Sequence, residues 1–437
     1  MSNQNLSSRR KFVRQASFVT GGLMASPFLS KANFFSGADD AIKIALVGCG
    51  GRGTGAAAQA LSTKQNVKLV AMADAFKDRL DSSYKELTSG ENFDAKRVNV
   101  AEENKFTGFD AYQKAISLAD VVILATPPGF RPIHFAEAIN QNKHVFMEKP
   151  VATDPAGIQK VLAAAEMAKQ KKLNVVVGLQ RHYQNSYREL LQRKDMIGDI
   201  TSAQAWWNND GVWVRKRQPQ QTEMEYQMRN WYYFVWLCGD HICEQHIHNI
   251  DVINWFKNGY PVKAQGMGGR QVRIGKDYGE IFDHHYVEFT YSDGSILNSQ
   301  CRHIPGTMSK VDELLIGTKG KIHAGDANIT DNKGNLLYQF DKNTENDPYQ
   351  SEHDELFAAI AKGEYKFADA ENGAKSTMTA ILGRMATYSG QVIEWDKAIN
   401  SGLDLHPKTY TWEAQPPVLP NAEGFYAIAT PGKTKYV

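Results

Sequence analysis

A chain of 437 residues with 42% hydrophobic content is too long for one ordinary core and is expected to fold as two domains. Its 50 Lys and Arg nearly cancel 48 Asp and Glu, which argues against a nucleic-acid or anionic-membrane partner and for a small molecule. Four cysteines, Cys49, Cys238, Cys243 and Cys301, are too few for a disulfide framework at this length and are expected to be free.

Near the N-terminus, Ser8-Arg9-Arg10-Lys11-Phe12-Val13 precedes a weakly apolar stretch rich in Gly, Ala and Ser over residues 16–29. The pattern reads as a twin-arginine export signal and linker spanning 1–38, recognised by the twin-arginine machinery and delivering a folded protein to the periplasm. Its apolar core is shorter than the roughly 20 residues of a permanent transmembrane helix, so no stable membrane insertion is expected.

From Ile42 an apolar strand runs into Gly48-Cys49-Gly50-Gly51-Arg52-Gly53 and then a helix of small residues reaching Leu61. Further apolar runs over 68–73, 121–125 and 144–147 end at Asp74, at Thr126-Pro127-Pro128 and at Glu148-Lys149-Pro150. Strands alternating with helical segments such as 133–140 predict an α/β domain over 41–165, a Rossmann-type doubly wound parallel sheet. A helix over 155–171 and a strand over 174–178 read as the bridge out of it.

Beyond that point, segments 200–207, 262–274, 284–291, 295–301, 312–316 and 321–324 alternate polar with apolar residues between Gly and Asp turns. They predict a C-terminal α+β domain over 166–414 with a large, mostly antiparallel open sheet, and helices over 352–362 and 373–390. Residues 415–437 read as an extended tail. An open sheet face is often covered by another subunit, so a homodimer or homotetramer is expected.

The glycine turn sits between strand and helix, where backbone can approach a pyrophosphate and the helix N-terminus offers unpaired N–H groups. Asp74 closes the next strand, where a carboxylate accepts from the adenosine ribose; it disfavours a 2′-phosphate, so NAD is expected over NADP, with Lys77 and Arg79 softening that preference. Lys149 follows another strand, and in such sheets the carboxyl ends of strands face the ligand crevice.

These blocks, with Gly178-Leu179-Gln180-Arg181-His182-Tyr183, resemble the Gfo/Idh/MocA oxidoreductases, which include glucose-fructose oxidoreductase and inositol dehydrogenase. The likeness runs from about residue 41 to residue 330, and Glu-Lys-Pro is its most specific element. It implies cofactor contacts at Gly48, Gly50, Gly51, Arg52, Gly53, Asp74, Thr126, Pro127, Pro128, Glu148 and Lys149. On one helix, Glu244 and His248 share a face with Asp251 and with Asp240 or His241, a spacing that lets a carboxylate orient a histidine. The family pattern of Asp, three residues, His, two residues, Asp maps here onto Glu244, His248 and Asp251, with Glu in place of the first Asp.

The resemblance implies that His248 takes a hydroxyl proton as hydride leaves for the nicotinamide. Lys149 then stabilises the developing oxygen, Glu244 orients the imidazole, and Asp251 does likewise or binds a substrate hydroxyl. Arg181, His182 and Tyr183, the aromatic-rich segment 206–210 with Trp207, and the segment 213–217 suit sugar recognition, since aromatic faces cover a pyranose and polar groups bond its hydroxyls; the segment 230–233 with Tyr233 could line the same cleft, and His241 is a further candidate contact. Asp283-His284-His285 is a weaker candidate. Cys238, His241, Cys243, His246 and His248 lie within eleven residues, but Cys243 and His246 fall on other helical faces and no second Cys/His pair recurs, so no metal is expected.

The expected activity is therefore an NAD-dependent oxidoreductase acting on a sugar or polyol. One alternative is a redox-neutral glycosidase that oxidises its sugar transiently, eliminates the aglycone and re-reduces the product. Another is a sensor that binds NAD without catalysis, in which Lys149 and His248 are freely replaceable.

Overall fold

The structure, a computed structural model, describes residues 41–90 and 93–436, so the expected export signal lies outside the described residues. Six apolar segments form a parallel sheet: β1 Ile42–Val47, β2 Val67–Asp74, β3 Lys105–Thr107, β4 Val121–Leu124, β5 His144–Met147 and β6 Val175–Val177. Their order, β3-β2-β1-β4-β5-β6, reverses between β1 and β4 and opens a crevice at the carboxyl ends of those strands. Ile44, Leu46, Val122, Ile123 and Phe146 are fully buried, as expected when helices cover both faces. The strand expected to lead out of this sheet instead completes it, pairing parallel with β5, so the first sheet extends past residue 165. One face is covered in part from far along the chain, where helix Pro348–Ala361 sends Leu356, Phe357 and Ile360 into one cluster with Ile44, Leu46 and Val176.

The second sheet has nine strands: β7 Ile200–Asn209, β8 Lys263–Gly269, β9 His284–Thr290, β10 Ile296–His303, β11 Lys310–Gly317, β12 Gly320–His323, β13 Asn328–Asp331, β14 Leu336–Gln339 and β15 Ile393–Glu394. They follow the order β14-β13-β12-β11-β7-β10-β9-β8-β15. The central pair β7 and β10 is parallel, and the other pairings are antiparallel. Along β10, Leu297, Ser299, Cys301 and His303 are buried while Asn298, Gln300 and Arg302 are not, the period of a sheet with one packed face. Helix Ala370–Ser389 covers that face over β8 and β9, and helix Ile247–Lys257 covers it over β7 and β11.

The strand expected over 262–274 ends at Gly269 because the next residues wrap around a carboxylate. Asp283 Oδ2 accepts from the backbone N–H groups of Gln271 at 2.7 Å, Val272 at 2.6 Å and Arg273 at 3.1 Å. The tail from 415 has no helix or strand, yet Val418 O accepts from Gln227 Nε2 at 2.7 Å and Tyr426 is buried against Glu223. All four cysteines are buried and free. Among the described residues no helix is long and apolar enough to cross a membrane.

Asp240 ties the second domain together. Fully buried and at φ 72°, it accepts from His241 N at 2.5 Å, His241 Nδ1 at 2.7 Å, Phe282 N at 2.9 Å and Tyr388 OH at 2.5 Å. Burial alone raises its pKa, but His285 and His241 and their hydrogen bonds hold it well below the carboxylate range. Asp240→Asn removes the charge from this knot and is expected to cost about 3–5 kcal/mol, read as a lowered urea midpoint with unchanged slope.

Candidate active site

At the end of β1 the chain turns through Gly48 at φ 98°, where a Cβ would stand 2.4 Å from Thr126 N. A Cβ on Gly53 would stand 1.9 Å from Gly48 O, whereas Gly50 and Gly51 face open space. Helix Gly51–Leu61 starts with Gly50 at its N-cap and no side-chain cap, which leaves its first N–H groups open to a ligand. Asp74 closes β2, with Oδ2 accepting from Cys49 N at 2.7 Å and Oδ1 from Phe76 N at 2.9 Å. Burial raises its pKa against those bonds.

A cleft of about 380 Å³ joins Gly48, Gly50, Gly51, Arg52, Gly53, Asp74, Thr126 and Pro127. Of the expected cofactor contacts, Pro128, Glu148 and Lys149 are not among its lining. Pro128 is buried, and Glu148 accepts from Arg52 Nε at 2.5 Å. The opposite wall comes from the second domain and includes Trp213, Arg215, Arg229 and Trp231. Of the segment 213–217, read from sequence as suiting sugar recognition, Trp213 and Arg215 line this cleft.

The second centre lies where the two sheets meet. Lys149 Nζ, at the carboxyl end of β5, donates to Glu244 O at 2.6 Å and Glu244 Oε1 at 3.2 Å. Burial raises the Glu244 pKa, and the Lys149 charge opposes that rise. The expected single helix is two, His241–Glu244 and Ile247–Lys257. Two bonds pull the intervening turn toward β10: Gln245 Oε1 accepts from His303 Nε2 at 2.8 Å, and His246 Nε2 meets Ser299 Oγ at 2.7 Å. Glu244 consequently holds Lys149 and is not hydrogen-bonded to His248.

His248 is buried, its ring stacked on Trp207 at 5.9 Å, and its Nδ1 has no partner among the described residues. The Trp207 Nε1 is likewise unpartnered there. Burial first, then the charges of Lys149, Arg181 and Arg52, pushes the His248 pKa well below its ordinary value. The ring is therefore neutral at pH 7, the state a proton acceptor needs.

Asp251 is buried and committed, accepting from His182 Nε2 at 2.7 Å, Ser376 Oγ at 2.7 Å and Asn372 Nδ2 at 3.0 Å. It orients His182, which stacks on Trp255 at 4.0 Å, and neither orients His248 nor stands free for a substrate hydroxyl. Burial would lower the His182 pKa, yet the charge and hydrogen bond of Asp251 raise it overall. Arg181 pairs with Glu313, a carboxylate the sequence reading did not single out, which also accepts from Tyr187 OH at 2.9 Å and Asn249 Nδ2 at 2.7 Å.

Three expected substrate contacts are structural instead. Tyr183 is buried beneath the first sheet and donates to Asp369 at 2.7 Å. His241 is fully buried on Asp240, and buried Tyr233 donates to Val212 O at 3.3 Å. Ligand atoms of Asp240, His241 and His285 lie within 4.8 Å of one another, but Asp240 is occupied by the hydrogen bonds of the knot. Asp283 likewise serves its loop.

A glycine turn at the switch point of a parallel sheet, with an acidic residue closing the second strand, defines a dinucleotide-binding Rossmann domain. Residues 42–179 match the Gfo/Idh/MocA family model, an oxidoreductase family with an NAD-binding Rossmann fold. An inositol 2-dehydrogenase of Gluconacetobacter diazotrophicus is 29% identical over 160 residues, 36% of this chain and 41% of that protein. A 2,7-anhydro-N-acetylneuraminate hydratase of Escherichia coli is 23% identical over 231 residues, 51% of this chain and 57% of that protein. The matched stretches thus span about half the length of these curated relatives.

Among solved structures, scyllo-inositol dehydrogenase from Lactobacillus casei with bound NAD(H) and scyllo-inositol aligns over 82% of this chain and 100% of that chain, with TM-score 0.61 and 22% identity. Aldose-aldose oxidoreductase from Caulobacter crescentus, complexed with glycerol, aligns over 81% and 100%, with TM-score 0.61 and 15% identity. These likenesses show the fold, a parallel six-stranded sheet with a large, mostly antiparallel second sheet.

The electrostatics of the centre give a direct check. Histidine-selective NMR is expected to show the His248 ring still neutral as pH falls from 8 to 6, and Lys149→Met, by removing a nearby positive charge, is expected to raise its pKa.

Proposed function

We propose that the protein is an NAD-dependent oxidoreductase that moves hydride between the CH–OH carbon of a sugar or polyol and the nicotinamide. One observation carries the reading: Glu244 holds the Lys149 ammonium at the carboxyl end of β5, and four residues further along stands the buried His248, whose Nδ1 has no partner among the described residues. When bound, NAD supplies the hydride acceptor. Asp74 receives the ribose hydroxyls, and the uncapped helix start at Gly51 receives the pyrophosphate. His248 takes the hydroxyl proton, and Lys149 stabilises negative charge on that oxygen from a site where little water screens it. Glu244 keeps Lys149 in place, and the Trp207 ring offers an apolar wall beside the imidazole. Support also comes from relatives named as inositol dehydrogenases and an aldose-aldose oxidoreductase.

The twin-arginine pattern at Ser8 to Val13 supports a periplasmic location, which fractionation of cells producing the full chain tests. The half-open face of the second sheet supports a homodimer or homotetramer, tested by light scattering.

Protein loaded with NAD and given inositols, aldoses and aryl glycosides is expected to change absorbance at 340 nm with a polyol or sugar. No change with any of them removes the oxidoreductase reading, and aglycone release with no lasting change selects the redox-neutral alternative. His248→Asn is expected to lower kcat by about 10²–10⁴-fold while NAD affinity stays within about twofold. A sensor would tolerate that substitution without loss of function.

A further inference from the structure

We propose that the C-terminal tail is a strap across the dinucleotide cleft, and that its Trp412 and Tyr410 are positioning residues that slow release of the cofactor. The inference rests on the reading of the cleft as the NAD site, and it gives a role to a segment beyond the residues that the family model matches. One end of the strap is fastened beside the parallel sheet, where Leu405 N donates to Asp154 Oδ2 at 2.8 Å; the other oxygen of that carboxylate caps helix Pro155–Gln170. The other end is fastened to the opposite wall. Val418 O accepts from Nε2 of the fully buried Gln227 at 2.7 Å, and Tyr426 OH accepts from Arg217 Nη2 at 3.0 Å and donates to Glu223. Glu223 and Gln227 belong to helix Glu223–Arg229, whose Met228 and Arg229 line the cleft.

Between these anchors the tail packs on the aromatic lining of the cleft, which includes Phe76, Phe109 and Phe130. The Trp412 ring lies 5.0 Å from Phe76 and 4.6 Å from Phe109, and Tyr410 lies 5.3 Å from Phe130 and 6.2 Å from Phe109. Tyr410 is set in turn by a hydrogen bond of 3.1 Å between its OH and His406 Nδ1. Neither ring is part of the lining itself, so both act through the phenylalanines. Phe76 is where the two walls meet. Besides Trp412 it contacts Arg229, whose guanidinium lies 3.8 Å from its ring and is held by Asp78 at 2.8 and 2.9 Å. Its N–H donates to Asp74 Oδ1 at 2.9 Å, so a contact that fixes Phe76 also fixes the carboxylate that closes β2. A dinucleotide leaving past this edge has to part rings that the tail holds, while the anchors at Leu405 and Val418 resist separation of the walls.

Hydrogen–deuterium exchange of the unaltered full chain, with and without NAD, reads the strap without any substitution. NAD is expected to slow exchange across residues 403–418 by at least about threefold, together with residues 48–55 around the glycine turn. Protection at 48–55 with none at 403–418 overturns the strap alone, whereas no protection anywhere removes the cofactor reading and the strap with it. Stopped-flow displacement then measures NAD release from variants whose melting temperatures show that they fold. Trp412→Ala is expected to release NAD about tenfold faster with association changed less than about threefold, and Trp412→Phe, which keeps a ring there, stays within about threefold of the unaltered protein. Ile428→Ala, in an exposed part of the tail, is the control and is expected to change nothing. Unchanged release in the double variant Tyr410→Ala with Trp412→Ala overturns the proposal, as does equally fast release in Ile428→Ala, which would mean general loosening of the tail.

Discussion

The contact between Lys149 and Glu244 is the joint on which the catalytic geometry depends. It links the end of β5 to the short helix just before His248, so it fixes the ammonium and the start of the histidine-bearing helix together. Each side chain is mostly hidden from water, and each charge makes the other tolerable there; removing one partner strands the other, which is far more costly than the pair itself is worth. The same ammonium disfavours a proton on His248. One ion pair thus fixes the position of Lys149 and bears on the charge state of His248.

Behind this joint the second domain is braced by buried polar groups. The Asp240 knot fastens the helix start to β9 through Phe282 and to helix Ala370–Ser389 through Tyr388. Gln245 and His246 reach β10 through His303 and Ser299. A buried carboxylate at positive φ persists only where its surroundings over-determine it, and four hydrogen-bond donors do so here.

Much of the first domain was legible because its signals are local. Apolar runs, a glycine turn and an acidic residue closing β2 are each contained within a few residues, and the rule that strand ends face the crevice placed Lys149. The histidine block was legible as a block but not as a geometry. Its spacing suggested one helical face, and what breaks the helix is a pair of bonds to β10, some fifty residues away in sequence. Tyr183, Tyr233 and His241 looked like ligand contacts because their types suit sugars, yet residue type does not reveal burial. That Trp213 and Arg215 border the cleft of the glycine turn is visible only in the packing of the fold. The parallel pairing of β7 with β10 and the short strands β13 to β15 leave almost no periodic trace.

The helix Pro348–Ala361 has a consequence for how the molecule is made. It lies in sequence beyond most of the second sheet, yet its Leu356, Phe357 and Ile360 share a cluster with Ile44, Leu46 and Val176 of the first. A nascent chain that has emerged only as far as Leu179 holds all six strands of the dinucleotide fold and still leaves part of one oily face uncovered. The sheet that comes first off the ribosome is therefore sealed only when a segment some 170 residues later has been made.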